Sequence, residues 1–304
     1  MITDKVKNLV NRLHALYNPE QYHGWGKQRQ YFEGWYYKII NASEDRAFAI
    51  IPGIAKDAHG NQHAFIQVMD GKKNTSSYLK FEAADFKPST DIFNLEIAGN
   101  RFQQDRLTLK TEMATGSLQF DKQVPWPVKW NSPGIMGPYA FVPFMECYHG
   151  ILSMDHEIRG ELEIDGERID FTGGRGYMEK DWGVSFPSAY IWMQSNHFSE
   201  PGISLKLSVA NIPWLRSSFV GFIAGFWWDG ELIQFTTYNS SKLIHSYVDE
   251  QVVVVELQGK KFNLKVKAER TESTELASPI LGFMDGRINE SMTAKLQVSL
   301  IERK

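Results

Sequence analysis

Turn dipeptides punctuate this chain from residue 60 almost to its end, and they restrict its fold more than any other feature. Gly60-Asn61, Asp70-Gly71, Gly99-Asn100, Asp165-Gly166, Asp229-Gly230 and Asp285-Gly286 each separate short apolar or alternating runs. Such pairs tolerate the positive φ values that tight hairpins need. The runs themselves, among them 31–40, 46–54, 62–69, 105–112, 168–178, 203–211, 219–228, 262–268 and 290–302, have the length of strands. Many short strands joined by hairpins predict an all-β fold of antiparallel β-barrel or sandwich domains. The strands are too many for one small barrel. Two β-domains are therefore expected, 1–183 and 184–304, joined near 182–188.

A short helix precedes the strands. Val6, Leu9, Val10, Leu13, Leu16 and Tyr17 form one stripe at helical spacing, Thr3 or Asp4 can cap it, and Asn18-Pro19 ends it. Docking onto the protein's own body is the expected use of that stripe. A transient membrane-surface contact is the other use, since Lys5, Lys7 and Arg12 sit beside it.

Composition excludes several classes. A net charge of −3 argues against a general nucleic-acid binder, whose surface is usually basic. Cys147, the single cysteine, rules out an internal disulfide and a cysteine-rich metal site. There is no run of apolar residues long enough to span a bilayer and no secretory h-region, so a cytoplasmic protein is the expectation. Aromatic residues make up 13% of the chain and include nine tryptophans. That suits a β-rich core, and it also suits a cavity for a large apolar or aromatic ligand. Residues 124–146 stand apart, with five prolines among Trp126, Trp130, Tyr139, Phe141 and Phe144. Prolines at this density forbid a central strand, so the segment reads as a lid or as a plug at one end of a barrel.

The chemistry concentrates in two stretches, 31–37 and 176–198. Side chains alternate along a strand, so Tyr31, Glu33, Trp35 and Tyr37 share one face. On an interior face, burial would raise the Glu33 pKa and suit it to general acid catalysis; a pairing with a nearby Arg or Lys is the alternative. Glu179 and Asp181 also share a face, with Lys180 and Trp182 opposite, and two neighbouring carboxylates push one pKa upward. Further on, Tyr190, Trp192, Gln194 and Asn196 would line one face, mixing rings with uncharged amides as an apolar ligand requires. Cys147 and His149 are two apart, as in a thiol–imidazole pair, although a lone cysteine is more often a small core residue. His59 and His63 flank a turn and form no zinc motif. Thr172 to Gly176 lacks the lysine of a phosphate loop, and there is no dinucleotide fingerprint.

Taken together, these motifs resemble the tocopherol cyclase family. The resemblance rests on Tyr31-Phe32-Glu33-Gly34-Trp35-Tyr36, Gly166-Glu167-Arg168-Ile169, and Tyr177-Met178-Glu179-Lys180-Asp181-Trp182-Gly183 with Phe186-Pro187. Trp192, Gln194, Asn196 and Phe198 continue it, and it runs from about Tyr22 to Arg303. It implies a lipocalin-like (calycin) architecture of two β-domains. It also implies chromanol-ring closure, in which a prenyl alkene is protonated and the neighbouring phenol oxygen attacks the cation. That step calls for no cofactor and no metal. The catalytic candidates are Glu33, Glu179 and Asp181; plant members carry Asn at the last position, which ranks it third. Tyr31, Trp35, Tyr37, His149 and Trp182 are candidate substrate-binding residues, as are Tyr190, Trp192, Gln194 and Asn196. The absence of a visible plastid transit peptide suggests a bacterial-type member. An alkene hydratase or a non-catalytic lipocalin-like carrier is the competing reading. In each case the partner is an apolar prenylated or aromatic small molecule. Oligomeric state stays open.

Overall fold

The computed structural model describes residues 2–303. It is built almost wholly of antiparallel strands behind one short helix, and no helix among the described residues is long and apolar enough to cross a membrane. The chain divides into two compact units: Met1–Phe186 with Glu275–Ile288, and Pro187–Thr274 with Asn289–Lys304. The second unit is thus interrupted, and does not form the single stretch 184–304.

Helix α1 (Ile2–Leu16) already runs at Ile2, so Asp4 lies inside its first turn, where a carboxylate favours the helix dipole. The Thr3 side chain lies outside the described residues. As expected, the helix stops before Pro19: Asn18 closes the last turn through its side-chain amide, which donates to the His14 carbonyl at 2.8 Å. The direction of its apolar stripe is not the expected one. Val6, Leu9, Val10 and Leu13 are 51–58% exposed, and Tyr17 is also exposed. The face turned to the protein carries Ala15, fully buried, and the half-buried Asn8 and Asn11. Short and polar side chains allow the close approach: the Asn8 amide lies beside Gly26, and His14 Nδ1 meets the Gln21 amide oxygen at 3.0 Å.

The first unit holds a twelve-stranded sheet. β1 (Tyr31–Ile40), β2 (Ala47–Lys56), β3 (Gln62–Asp70) and β4 (Thr75–Glu82) form one meander. β5 (Phe86–Pro88), β6 (Asn94–Ile97), β7 (Asn100–Gln103), β8 (Arg106–Lys110) and β9 (Ala114–Asp121) form another. The proline-rich segment contributes a small ribbon, β10 (Val128–Lys129) and β11 (Ser132–Pro133), before β12 (Cys147–Ile164), β13 (Glu167–Asp170) and β14 (Arg175–Gly183). The order is β4-β3-β2-β1-β14-β12-β9-β8-β7-β6-β5, with β13 beside β12. β14 and β12 lie between the two meanders and join them, and the pairing of β1 with β14 brings the two chemistry-rich motifs side by side.

The sheet curls onto a single core. Tyr37 on β1 lies 5.9 Å, ring to ring, from Phe120 on β9, and Trp35 lies 6.3 Å from Phe86 on β5, a strand far from β1 in the order. Tyr31, Trp35 and Tyr37 are therefore closed in with Ile50, Ile66, Leu118 and Leu162. Trp35 stacks on Phe93 and donates its indole N–H to the Glu20 carbonyl at 2.7 Å. These rings are buried as part of the first unit's core.

The second unit packs two four-stranded sheets around its own core. β15 (Tyr190–Ser195), β16 (Ser204–Trp214), β17 (Ser217–Trp228) and β18 (Glu231–Thr236) form the first. β19 (Lys242–Val248), β20 (Val252–Gln258) and β21 (Phe262–Glu269) form the second together with the last strand. Before that strand, β22 (Thr274–Ile280) and β23 (Phe283–Glu290) make a separate hairpin, and β24 (Lys295–Glu302) then pairs with β21. The hairpin turns at Leu281-Gly282, at φ 50° and 85°, and Asp285-Gly286 lies within β23. Gly286 is there for space, since a Cβ would press on Ser278 across the hairpin.

Candidate functional site

Strand alternation on β14 separates its charged residues onto two faces. Lys180 and Trp182 face the core of the first unit; Glu179 and Asp181 face away from it. The register sets Glu33 opposite Trp182 and Trp35 opposite Lys180, so Glu33 shares the inner face with Lys180. Glu33 and the Glu179/Asp181 pair are thus on opposite sides of one sheet, and the structure does not bring these three carboxylates together.

On the inner face, both Glu33 and Lys180 are completely buried, 2.5 Å apart. The Glu33 carboxylate also accepts the backbone N–H groups of His23, at 2.9 Å, and Gly24, at 3.1 Å, and the Tyr31 hydroxyl. Two amides and an ammonium can only donate, so the carboxylate is the form that fits. Burial pushes the Glu33 pKa up, but the Lys180 charge and the His23 and Lys180 hydrogen bonds together carry it below the ordinary value. This overturns the expected raised pKa; the pairing alternative holds. Lys180 in turn donates to the Gln21 carbonyl and to His23 Nδ1, and sits 4.7 Å from the centre of the Trp35 ring. His23 stacks on Trp182 at 4.0 Å. Burial and the Lys180 charge drop its pKa to about 4, which keeps the imidazole neutral and able to accept from Lys180. The group fastens segment 20–24 to β1 and β14.

On the outer face, β12 runs beside β14 with His149 opposite Asp181 and Ile151 opposite Glu179. His149 bridges the two carboxylates. Its Nδ1 lies 2.7 Å from an Asp181 oxygen and its Nε2 3.4 Å from a Glu179 oxygen. The Tyr177 hydroxyl donates to that same Glu179 oxygen from two residues earlier on the strand. Burial and the Glu179 charge raise the Tyr177 pKa well above normal, so it stays a donor. The cluster is shielded but not sealed: side-chain exposure is 5% for Glu179, 11% for His149 and 24% for Asp181. One atom from each of the three lies within 4.8 Å of the others, a donor set that can also hold a divalent cation. His149 was read from sequence beside Cys147, whose Sγ instead points at the Tyr148 carbonyl. Tyr177 and His23 were missed. Tyr177 was open to detection, since it stands two residues before Glu179 on the same face.

The remaining candidates lie in the second unit. On β15, Ile191 and Met193 belong to that unit's core, so Tyr190, Trp192 and Gln194 occupy the other face, as alternation requires. Tyr190 is exposed, Trp192 half-buried, and Gln194 and Asn196 buried.

Two fold comparisons give likenesses across nearly the whole chain. The crystal structure of CghA with Sch210972 matches with a TM-score of 0.55 at 9% identity, covering 90% of this chain and 88% of that one. The crystal structure of CghA without that compound matches at 0.53, with the same identity and coverage. This is a likeness of fold, and with the strand orders above it gives the expected class: all-β, two lipocalin-like antiparallel units behind a short helix. In sequence, the chloroplastic tocopherol cyclase of Zea mays is 30% identical over 120 residues, which are 38% of this chain and 25% of that protein. The probable chloroplastic tocopherol cyclase of Oryza sativa subsp. japonica is 30% identical over 111 residues, 34% of this chain and 23% of that protein. The chain thus spans about a quarter of the length of these plant relatives. A model of the family described as tocopherol cyclase-like matches residues 102–304, a span that contains β12, β14 and β15. Two-thirds of the sequence, including the strands that carry His149, Glu179 and Asp181, follows that pattern, and the chain belongs to the tocopherol cyclase-like family.

Proposed function

We propose that this protein is a cyclase-like enzyme that closes an oxygen ring on a prenylated phenol by protonating an alkene. The observation that carries the reading is the His149 imidazole held between Glu179 and Asp181 inside the family-matched span. Glu179 delivers a proton to the less substituted alkene carbon and leaves a tertiary cation at the other. The phenol oxygen attacks that cation, a C–O bond forms, and the phenolic proton returns through Asp181 and His149 to Glu179. Atoms balance, because the substrate is only isomerised. Tyr177 fixes the Glu179 oxygen during the transfer, and a low-dielectric setting strengthens each of these interactions. Glu33, already saturated with donors, serves as the inner-face fastener and not as the acid.

The test is turnover of a panel of prenylated hydroquinones by wild type and by Glu179→Gln, His149→Asn and Asp181→Asn. Glu179→Gln is expected to lose about 10²–10⁴-fold in kcat, the range for removing a general acid. Full activity in Glu179→Gln and His149→Asn would reject the mechanism. Tight binding of the panel with no turnover by wild type would support the carrier reading.

A further inference from the structure

We infer that the outward stripe of α1 and the aromatic tip of segment 124–146 form one docking surface for an anionic lipid bilayer. A surface helix normally buries its apolar stripe and shows its polar face to water. Here α1 does the reverse, with Ala15, Asn8 and Asn11 inward and Val6, Leu9, Val10 and Leu13 outward. Single exposed apolar residues need no explanation, but contiguous ones mark a contact site. These are contiguous with the neighbouring segment. The Tyr17 hydroxyl donates to the Trp130 carbonyl at 3.0 Å, and the Tyr17 and Phe141 rings lie 6.4 Å apart. Trp130 itself is 82% exposed, and tryptophan is the residue that favours the bilayer interface.

Charge selects the bilayer over other occupants. At about 100° per residue, Lys5 and Arg12 fall about a quarter-turn to one side of the stripe and Lys7 about a quarter-turn to the other. Long basic side chains in that position keep their charge in the headgroup layer while their stems lie along the apolar face. Within α1 and residues 124–146 the cations are Lys5, Lys7, Arg12 and Lys129 and the acidic residues are Asp4 and Glu146, which gives 4 − 2 = +2 in a chain of net charge −3. A second copy docked symmetrically on the same face would set these cationic rows against each other, which is unfavourable. An anionic leaflet meets both the apolar stripe and its basic borders. The surface rests on this geometry alone, and it would place the enzyme where an apolar prenylated substrate dissolves.

The experiment is flotation of the full chain with vesicles of phosphatidylcholine, with and without phosphatidylglycerol, at low and high salt. Wild type is expected to float with the anionic vesicles, less so at high salt and less with phosphatidylcholine alone. Leu9→Glu/Leu13→Glu should weaken partitioning at least about 10-fold per substitution, since each removes a side chain from the apolar layer. Lys5→Glu/Lys7→Glu should weaken it at least about 10-fold on anionic vesicles only. Trp130→Phe should remove a blue-shifted, lipid-quenchable part of the fluorescence. Circular dichroism checks folding, and turnover of a short-chain soluble substrate should be unchanged in every variant; that readout separates this surface from the cyclase reading. Wild type that stays soluble with all vesicles would overturn the inference, as would full flotation of Leu9→Glu/Leu13→Glu. A wild-type dimer dispersed by Leu9→Glu/Leu13→Glu, without vesicle binding, would assign the face to a second copy instead.

Discussion

Replacing Glu33 by glutamine should unfold this protein more readily and leave its chemistry largely intact. The side chains of Glu33 and Lys180 are both at 0% exposure, and four donors converge on the carboxylate. A neutral amide removes the counter-charge, and one end of it would present donors to donors. The Lys180 ammonium is then buried with the Gln21 carbonyl, His23 Nδ1 and two ring faces, and the charge of Glu20 is its remaining anionic neighbour. Breaking a buried pair from one side typically costs about 3–5 kcal/mol, because the surviving charge is uncompensated. At about 2–4 °C per kcal/mol for a unit of this size, the melting temperature should fall by roughly 6–20 °C. Lys180→Met should cost a similar amount. The double variant should cost clearly less than the two singles combined, because no charge is left stranded. The assay is urea and thermal unfolding followed by circular dichroism, with turnover measured on the folded fraction. A loss under about 1 kcal/mol in Glu33→Gln, or strict additivity in the double variant, would refute the lock. Normal stability together with a 10²–10⁴-fold loss of turnover would restore Glu33 as the general acid.

Acid should destabilise the first unit well before its carboxylates titrate. His156 is 1% exposed and burial drops its pKa to about 3, so between pH 6.5 and 3 the unfolded chain binds a proton that the folded chain refuses. Stability is therefore full above pH 6.5 and falls with pH, His156 alone contributing about 3 kcal/mol at two units below, while His23 and His63, both lowered to about 4 by burial and nearby lysines, add to the same slope; urea midpoints across that window should show it, and His156→Leu should make it shallower. The depressed Glu33 pKa adds a further loss on the same side, below its ordinary value, as the carboxylate is protonated. Gly282→Ala should be poorly tolerated, since φ is +85° and a Cβ would collide with the Tyr31 amide and the Lys56 carbonyl. A cost above about 2 kcal/mol is expected from the left-handed conformation and the overlap together, and urea unfolding measures it. Trp35→Ala should cost about 3–5 kcal/mol as a core truncation, with no specific effect on ligand affinity in the folded fraction; an affinity loss without instability would return Trp35 to a binding wall.

Strand positions were legible because hairpin signals are local. Asp165-Gly166 and Asp229-Gly230 both turn at positive φ, where two residues suffice to state the need. Asp285-Gly286 misled because glycine has two uses, and at Gly286 the need is space beside Ser278 and not backbone freedom. Alternation groups Glu33 with Tyr31, Trp35 and Tyr37 on one face, and that face is the interior one. The sign of its pKa was not legible, because burial raises a lone carboxyl and the opposing Lys180, His23 and Gly24 come from elsewhere in the chain. The α1 stripe was evident from its period, but its direction depends on which face fits the body. Small Ala15, and Asn8 lying against Gly26, decide that in favour of the polar side. His149 was singled out, but its partners stand on a neighbouring strand, and register cannot be read from either strand alone.

The four residues Glu179-Lys180-Asp181-Trp182 explain why one short motif concentrates so much of this chain's character. Period-two alternation sends Lys180 and Trp182 into the core and Glu179 and Asp181 out toward His149. The inner pair is fixed by Glu33, His23 and the stacked rings, so the backbone of β14 is pinned between β1 and β12 at the point where it presents its carboxylates. A one-residue slip would exchange the faces, turning the two carboxylates into the core and the lysine out of it. The ion pair on the inner face would be lost at once, which ties the register to the Glu33–Lys180 contact. An inner-face lock of this kind holds Glu179 and Asp181 at fixed spacing on either side of one imidazole, the preorganisation that proton delivery needs. The lock and the outer cluster are therefore coupled through a strand and not through contact. Damage to the lock should appear first as lost stability, and as lost turnover only to the extent that β14 moves.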